Sequence, residues 1–170
     1  EKMIAEARAR NADPRIRYEV CGIAEYSYPA GYYDLVVSNL ALHYLADLDD
    51  IYRKVFSTLR PGGVFLFNIE HPVFTAGVRE DWVRDAEGRP VCWPVDNYYY
   101  PGERTTLFLG QEVKKQHHTL TQILMGLIRC GFVLEAVEEA MPDPSMLDLP
   151  GMADEMRRPM MLLVKARKPV

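Results

Sequence analysis

Hydrophobic and polar positions change their period several times along the chain, and each change marks an element. Met3, Ile4 and Ala7 fall on one face of EKMIAEARARN, which predicts a helix over 1–11 that stops before Asp13-Pro14. Ile16, Tyr18 and Val20 then alternate with charged partners, the pattern of a strand over 16–20 with one face more exposed. Residues 21–33 hold Gly22, Pro29 and Gly31 and read as a loop. Asp34 opens the continuous apolar run Leu35-Val36-Val37, which halts at Ser38-Asn39. Such a run predicts a strand over 34–38 that is buried on both faces. Leu48, Ile51, Tyr52, Val55, Phe56 and Leu59 follow the i, i+3, i+4, i+7 spacing of an amphipathic helix over 47–59. The turn Arg60-Pro61-Gly62-Gly63 separates it from a second buried strand over 64–69.

Residues 72–118 carry no long period. They hold turn formers, both tryptophans (Trp82 and Trp93) and the triplet Tyr98-Tyr99-Tyr100. A segment of this length without a regular pattern is usually functional or disordered, and its aromatics argue for function. Order returns at Thr119, which opens the capping-box sequence Thr119-Leu120-Thr121-Gln122. Leu120, Ile123, Leu124, Leu127 and Ile128 form the apolar stripe of the helix that follows, and Gly131 stops it. Strands are expected over 132–138 and 160–166. No clearly periodic helix lies between them, so they are expected to run antiparallel.

Composition narrows the classes. The 170 residues, 48% hydrophobic and 26% charged, are one domain's worth of ordinary globular chain. A net charge of −4 and the lack of a basic stripe argue against a nucleic-acid or anionic-membrane partner. No apolar run approaches the ~20 residues that span a bilayer. Cys21, Cys92 and Cys130 are widely spaced and form no CxxC pair, which fits a reducing, cytoplasmic setting better than a disulfide framework. His71, Cys92, His117 and His118 lack zinc-ligand spacing, so no metal is expected.

The strand–helix–strand unit from Tyr33 to Pro72 resembles the fourth and fifth strands of class I S-adenosylmethionine-dependent methyltransferases of the small-molecule, type 11-like branch. The matching residues are Asp34 to Ser38, Leu42-His43, and the Leu-Arg-Pro-Gly-Gly of 59–63. The resemblance implies an α/β fold with a Rossmann-like sheet, mostly parallel with an antiparallel C-terminal strand. It assigns 16–20, 34–38, 64–69, 132–138 and 160–166 to the third through seventh strands. The first two strands and the glycine-rich loop are not in this sequence. The helical pattern opens at Glu1 without a cap, and roughly 60 to 80 further residues are expected upstream. The chain is then a single methyltransferase domain over 1–170, with 72–118 inserted as a substrate cap.

In open α/β sheets ligands bind beyond the carboxyl ends of the strands, which places Ser38 and Asn39 at the site. The resemblance implies that these two, with Leu40, His43, Ile23, Ala24 and Glu25, bind S-adenosyl-L-methionine. Ile23 stands where the family often has an aspartate. His71 and His118 are the candidate general bases, and Glu70, Trp93, Tyr98, Tyr99 and Tyr100 the candidate acceptor contacts. Methyl transfer to a small organic molecule is the expected reaction, and a homodimer is a possible assembly. The competing reading is a methyltransferase-like module that binds or dimerises without catalysis. A dinucleotide enzyme finds no GxGxxG in support.

Overall fold

The computed structural model of the chain describes all residues except Val78, Arg79 and Leu109. Its main sheet has four strands: β1 (Tyr33–Asn39), β2 (Leu59–Glu70), β7 (Val133–Ala140) and β8 (Met161–Arg167). They lie in the order β1-β2-β8-β7. β1 and β2 pair in parallel, and β8 runs antiparallel to both its neighbours. Thus β1, β2 and β7 share one direction and β8 opposes it, the mostly parallel sheet with an antiparallel C-terminal strand that the family resemblance implied.

Helices α2 (Leu48–Thr58) and α4 (Leu120–Arg129) cover one face of this sheet. Asp47 caps α2 by accepting from Asp50 N–H, and Thr119 and Gln122 close the expected capping box on α4. Phe65, Phe67 and Ile69 of β2 meet Leu162, Val164 and Ala166 of β8 beneath Ile51, Tyr52, Val55, Ile123 and Leu127. The two helices approach closely at Gly126, where a Cβ would sit 2.7 Å from Asp49 Oδ1 and 2.9 Å from the Tyr52 ring. The opposite sheet face is open: Leu35 is 53% and Val37 58% exposed. The expectation that β1 is buried on both faces therefore holds for one face only.

Two further boundaries differ from expectation. Residues 16–20, expected as a strand, pair with no described strand and belong to no sheet. The expected turn at 60–63 is instead the first part of β2, kinked where Gly62 adopts φ +78° and donates its N–H to the Lys168 carbonyl. Helix α1 (Lys2–Arg10) buries none of its residues.

The aperiodic segment 72–118 is folded. It contains α3 (Pro72–Thr75), the short pair β3 (Val83–Arg84) and β4 (Pro90–Cys92), and the hairpin β5 (Gly102–Phe108) with β6 (Gln111–His117). A last short helix, α5 (Met152–Glu155), precedes β8.

Candidate functional site

Because β1 and β2 are parallel neighbours, their carboxyl ends arrive at one edge, with Ser38 opposite Phe67 and Asn39 opposite Asn68. Asn68 Nδ2 donates to Asn39 Oδ1 at 3.3 Å. The chain then turns sharply: Leu40 takes φ +52°, a left-handed conformation that disfavours a branched side chain, and donates its N–H to the Asn68 carbonyl at 2.9 Å. A 3₁₀ turn, Leu42–Tyr44, follows. Strain of this kind, of order 1–3 kcal/mol, persists where the surroundings fix it, and it clusters at ligand sites.

A cleft of about 540 Å³ runs along the unpaired side of β1 from Tyr33 to Asn39 and reaches this edge at Ser38 and Asn39. Val36, Ser38, Asn39 and Leu42 form one wall and Gly22, Ile23 and Tyr28 another. Ser38 is buried, yet its hydroxyl has no hydrogen-bond partner in the protein. A buried hydroxyl without a protein partner at a strand end is open to a polar ligand atom or an ordered water. Of the residues expected to hold a donor, Ile23, Ser38 and Asn39 line the cleft, whereas Ala24, Glu25, Leu40 and His43 do not. Glu25 folds over Gly22, where any Cβ would overlap its carboxylate. The Ala24 carbonyl accepts from Lys54 Nζ at 2.9 Å, which ties the loop to α2. Glu19, Tyr26, Tyr33 and Thr58 also line the cleft; they sit in loops and element ends whose sequence carries no motif.

His71 and His118 lie elsewhere. His71 caps α3, its Nδ1 accepting from Val73 N–H at 3.0 Å, and its Nε2 faces Glu139 Oε1 at 2.9 Å on the far side of β8. His118 Nε2 donates to the Leu45 carbonyl at 2.8 Å. Burial lowers the pKa of both. His117 uses both nitrogens, Nε2 toward the Tyr98 carbonyl and Nδ1 toward the Thr75 hydroxyl. These contacts hold the insertion in place, and neither expected general base reaches the cleft.

Glu70, expected at the acceptor side, is in a buried cluster. Lys115 Nζ of β6 lies 2.6 Å from Glu70 Oε1 and 3.0 Å from Glu80 Oε2, with the three side chains 3%, 10% and 6% exposed. Burial lowers the Lys115 pKa, but the two carboxylates together outweigh it and the net direction is upward. Glu80 moves up because it is buried. His43 sits alongside, with Nδ1 3.5 Å from Glu70 N. Burial, reinforced by the nearby Lys115 charge, lowers its pKa to about 4. Lys115 and Glu80 have no signal in the sequence, where a lysine in a polar strand reads as solvated.

The aromatic residues divide. Trp93 stacks on Phe74 at 5.1 Å and donates to the Val73 carbonyl, while Trp82 meets it edge-on. Arg158, paired with Glu155, lays its guanidinium 4.3 Å from the Trp93 ring centre and 4.9 Å from that of Phe74. Tyr98 accepts Leu120 N–H at 3.1 Å. Tyr99 and Tyr100 are 85% and 72% exposed. Among the described residues no cluster of His, Cys, Asp and Glu could hold a metal, and no helix is long and apolar enough to cross a membrane.

A mostly parallel sheet with helices on one face, and a strained turn and a partnerless buried hydroxyl at the carboxyl end of β1, defines a Rossmann-like fold. Residues 1–67 match the family model of a methyltransferase domain. A Listeria monocytogenes protein placed among the S-adenosylmethionine-dependent methyltransferases superposes with a TM-score of 0.95 at 44% identity, over 100% of this chain and 77% of its own. An S-adenosylmethionine-dependent methyltransferase of Mesorhizobium loti gives 0.89, also at 44% identity, over 98% and 76%. An uncharacterised Haemophilus influenzae protein is 28% identical over 145 residues, 82% of this chain; the chain spans 56% of that relative's length. The chain belongs to the S-adenosylmethionine-dependent methyltransferases, whose cofactor is S-adenosyl-L-methionine. The cleft fits such a ligand: apolar and aromatic walls suit the adenine, and the orphaned Ser38 hydroxyl suits a polar arm.

Proposed function

We propose that this chain forms part of an enzyme that transfers a methyl group from S-adenosyl-L-methionine to a small organic molecule. When bound, the cofactor supplies a methyl group already activated on a sulfonium. The chain has then to bind, orient and exclude water. Ser38, Asn39 and Ile23 would hold the donor, and the turn at Leu40 would shape its lip. The observation that carries the reading is the Ser38 hydroxyl, buried without a partner where two parallel strands end. The folded insertion 72–118 stands beside this edge through the 3₁₀ turn 42–44, on which β6 packs. That supports its role as the acceptor wall. Tyr99 and Tyr100, both exposed, are placed to meet a flat or apolar acceptor, with Tyr98 edge-on to Tyr99. The net charge of −4 argues against a nucleic-acid acceptor.

Calorimetric titration of the full-length protein with S-adenosylhomocysteine tests the reading. Micromolar binding that weakens at least tenfold in Ser38→Ala is expected. Absence of binding to the unaltered protein would overturn it.

A further inference from the structure

The insertion reaches further than an acceptor wall needs to. Lys115 comes from β6, yet its ammonium is buried at the carboxyl end of β2 between Glu70 and Glu80. Glu70 is the residue two beyond Asn68 on the same strand, so both side chains project from one face. Asn68 in turn holds both Asn39 and the strained Leu40, through its side chain and its carbonyl. His43, on the other side of that turn, is buried against the Glu70 backbone and feels the Lys115 and Glu80 charges. A buried ammonium between two carboxylates is expensive to desolvate and weak as a source of net stability; where such a cluster is kept, fixing one arrangement is its best-attested use. β6, which carries Lys115, packs on the 3₁₀ turn 42–44 that follows Leu40.

We propose that Lys115 is a positioning residue for the donor site: pinned between Glu70 and Glu80, it sets the end of β2 and the turn 39–44 that borders the cleft. The insertion is thereby part of the donor-binding machinery as well as the acceptor side. The proposal rests on the methyltransferase reading, and it predicts that cofactor affinity depends on a residue that does not line the cleft.

Three full-length proteins decide it: unaltered, Lys115→Met, and the uncharged triple variant Glu70→Gln/Lys115→Met/Glu80→Gln. The single change leaves two buried carboxylates facing each other and is expected to lower the melting temperature; the triple change removes that conflict and is expected to restore it. Calorimetry with S-adenosylhomocysteine is expected to show at least tenfold weaker binding in Lys115→Met and at least fivefold in the triple variant, despite its recovered stability. Hydrogen exchange of 39–44 is expected to quicken at least tenfold in the triple variant while α2 and β8 hold. Affinity that returns together with the melting temperature would show a purely structural cluster and overturn the proposal. If the unaltered protein binds no S-adenosylhomocysteine, the methyltransferase reading falls; the exchange of 39–44 then decides for Lys115 alone, unchanged protection in the triple variant overturning it.

Discussion

The helix-covered half of the sheet and the segment 72–118 are both held in place, but by different means. The first is held by apolar side chains, with Phe65, Phe67, Ile69, Leu162 and Val164 under α2 and α4. The second is fastened by particular polar partners: Lys115 to Glu70, Thr75 and Tyr98 to His117, Trp93 to Val73, Arg158 over the stacked rings. Apolar packing is non-directional and tolerates neighbours of similar volume. Buried polar contacts need every partner in place, and a lost partner leaves its mate unsatisfied. The first half should therefore fail globally and by volume, the second locally and by chemistry.

The largest effect expected is in the core. Phe67→Ala should lower stability by about 3–5 kcal/mol, read as a shift in denaturant midpoint that is the same for every probe. Arg158→Ala strikes the insertion instead. It removes the guanidinium from the Phe74 and Trp93 rings and strands Glu155, for about 2 kcal/mol. Limited proteolysis should then cut within 77–101 well before the sheet unfolds. A cut pattern matching that of Phe67→Ala would erase the distinction between the two halves.

Acid should also find the polar half first. For a histidine whose folded pKa is lowered, the unfolded chain binds protons where the folded chain does not. Its contribution is fully present above the unfolded value near 6.5 and is lost as pH falls toward the folded value. His43, held near 4 by burial and by Lys115, should contribute about 2 kcal/mol of that loss. His71, His117 and His118 shift the same way. Glu80, shifted upward by burial, works in the opposite sense at the acid end, because its protonation favours the folded state. Denaturant midpoints at pH 7 and pH 5 should differ, with the insertion losing amide protection before α2 and β8.

Smaller effects sharpen the contrast. Leu40→Gly relieves a left-handed φ and should change stability by less than about 1 kcal/mol; S-adenosylhomocysteine titration should nonetheless show weaker binding, because the turn loses its rigidity. Tyr99→Ala with Tyr100→Ala, both on the surface, should move stability by no more than about 0.5 kcal/mol. Once an acceptor is in hand, the same pair should raise its KM with little effect on cofactor affinity.

The same division governs what the sequence discloses. α2, β2, α4 and β8 are legible because each buries a run or stripe of apolar side chains, and α4 shows its cap as well; β1 and β7 are legible from their apolar runs although β7 buries only part of Leu134. Residues 16–20 alternate properly and still form no strand, since periodicity reports a face but not the presence of a pairing partner. β5 and β6 were invisible for the converse reason: GERTTLF and QEVKKQH are polar on both faces, and their ladder is to each other. At the site, Ser38, Asn39 and Ile23 follow from strand-end logic and from the family resemblance, and the structure puts them on the cleft. His71 and His118 drew attention as titratable groups near that edge, but their contacts are with backbone and with Glu139. Lys115 stayed hidden because its burial depends on Glu70 and Glu80, 45 and 35 residues away.

The open side of β1 has a consequence for handling the molecule. Among the described residues β1 pairs with β2 alone, and Leu35 and Val37 stand out from the uncovered face. An unpaired edge flanked by apolar side chains is a template for another strand. No lysine or proline interrupts Leu35-Val36-Val37; the one irregularity of the β1–β2 ladder lies before it, between Tyr33 and Leu35. In concentrated solution the isolated 170-residue chain should add strand to strand through this edge, so light scattering that climbs with protein concentration would report on β1 before any spectroscopic probe of the helices changed.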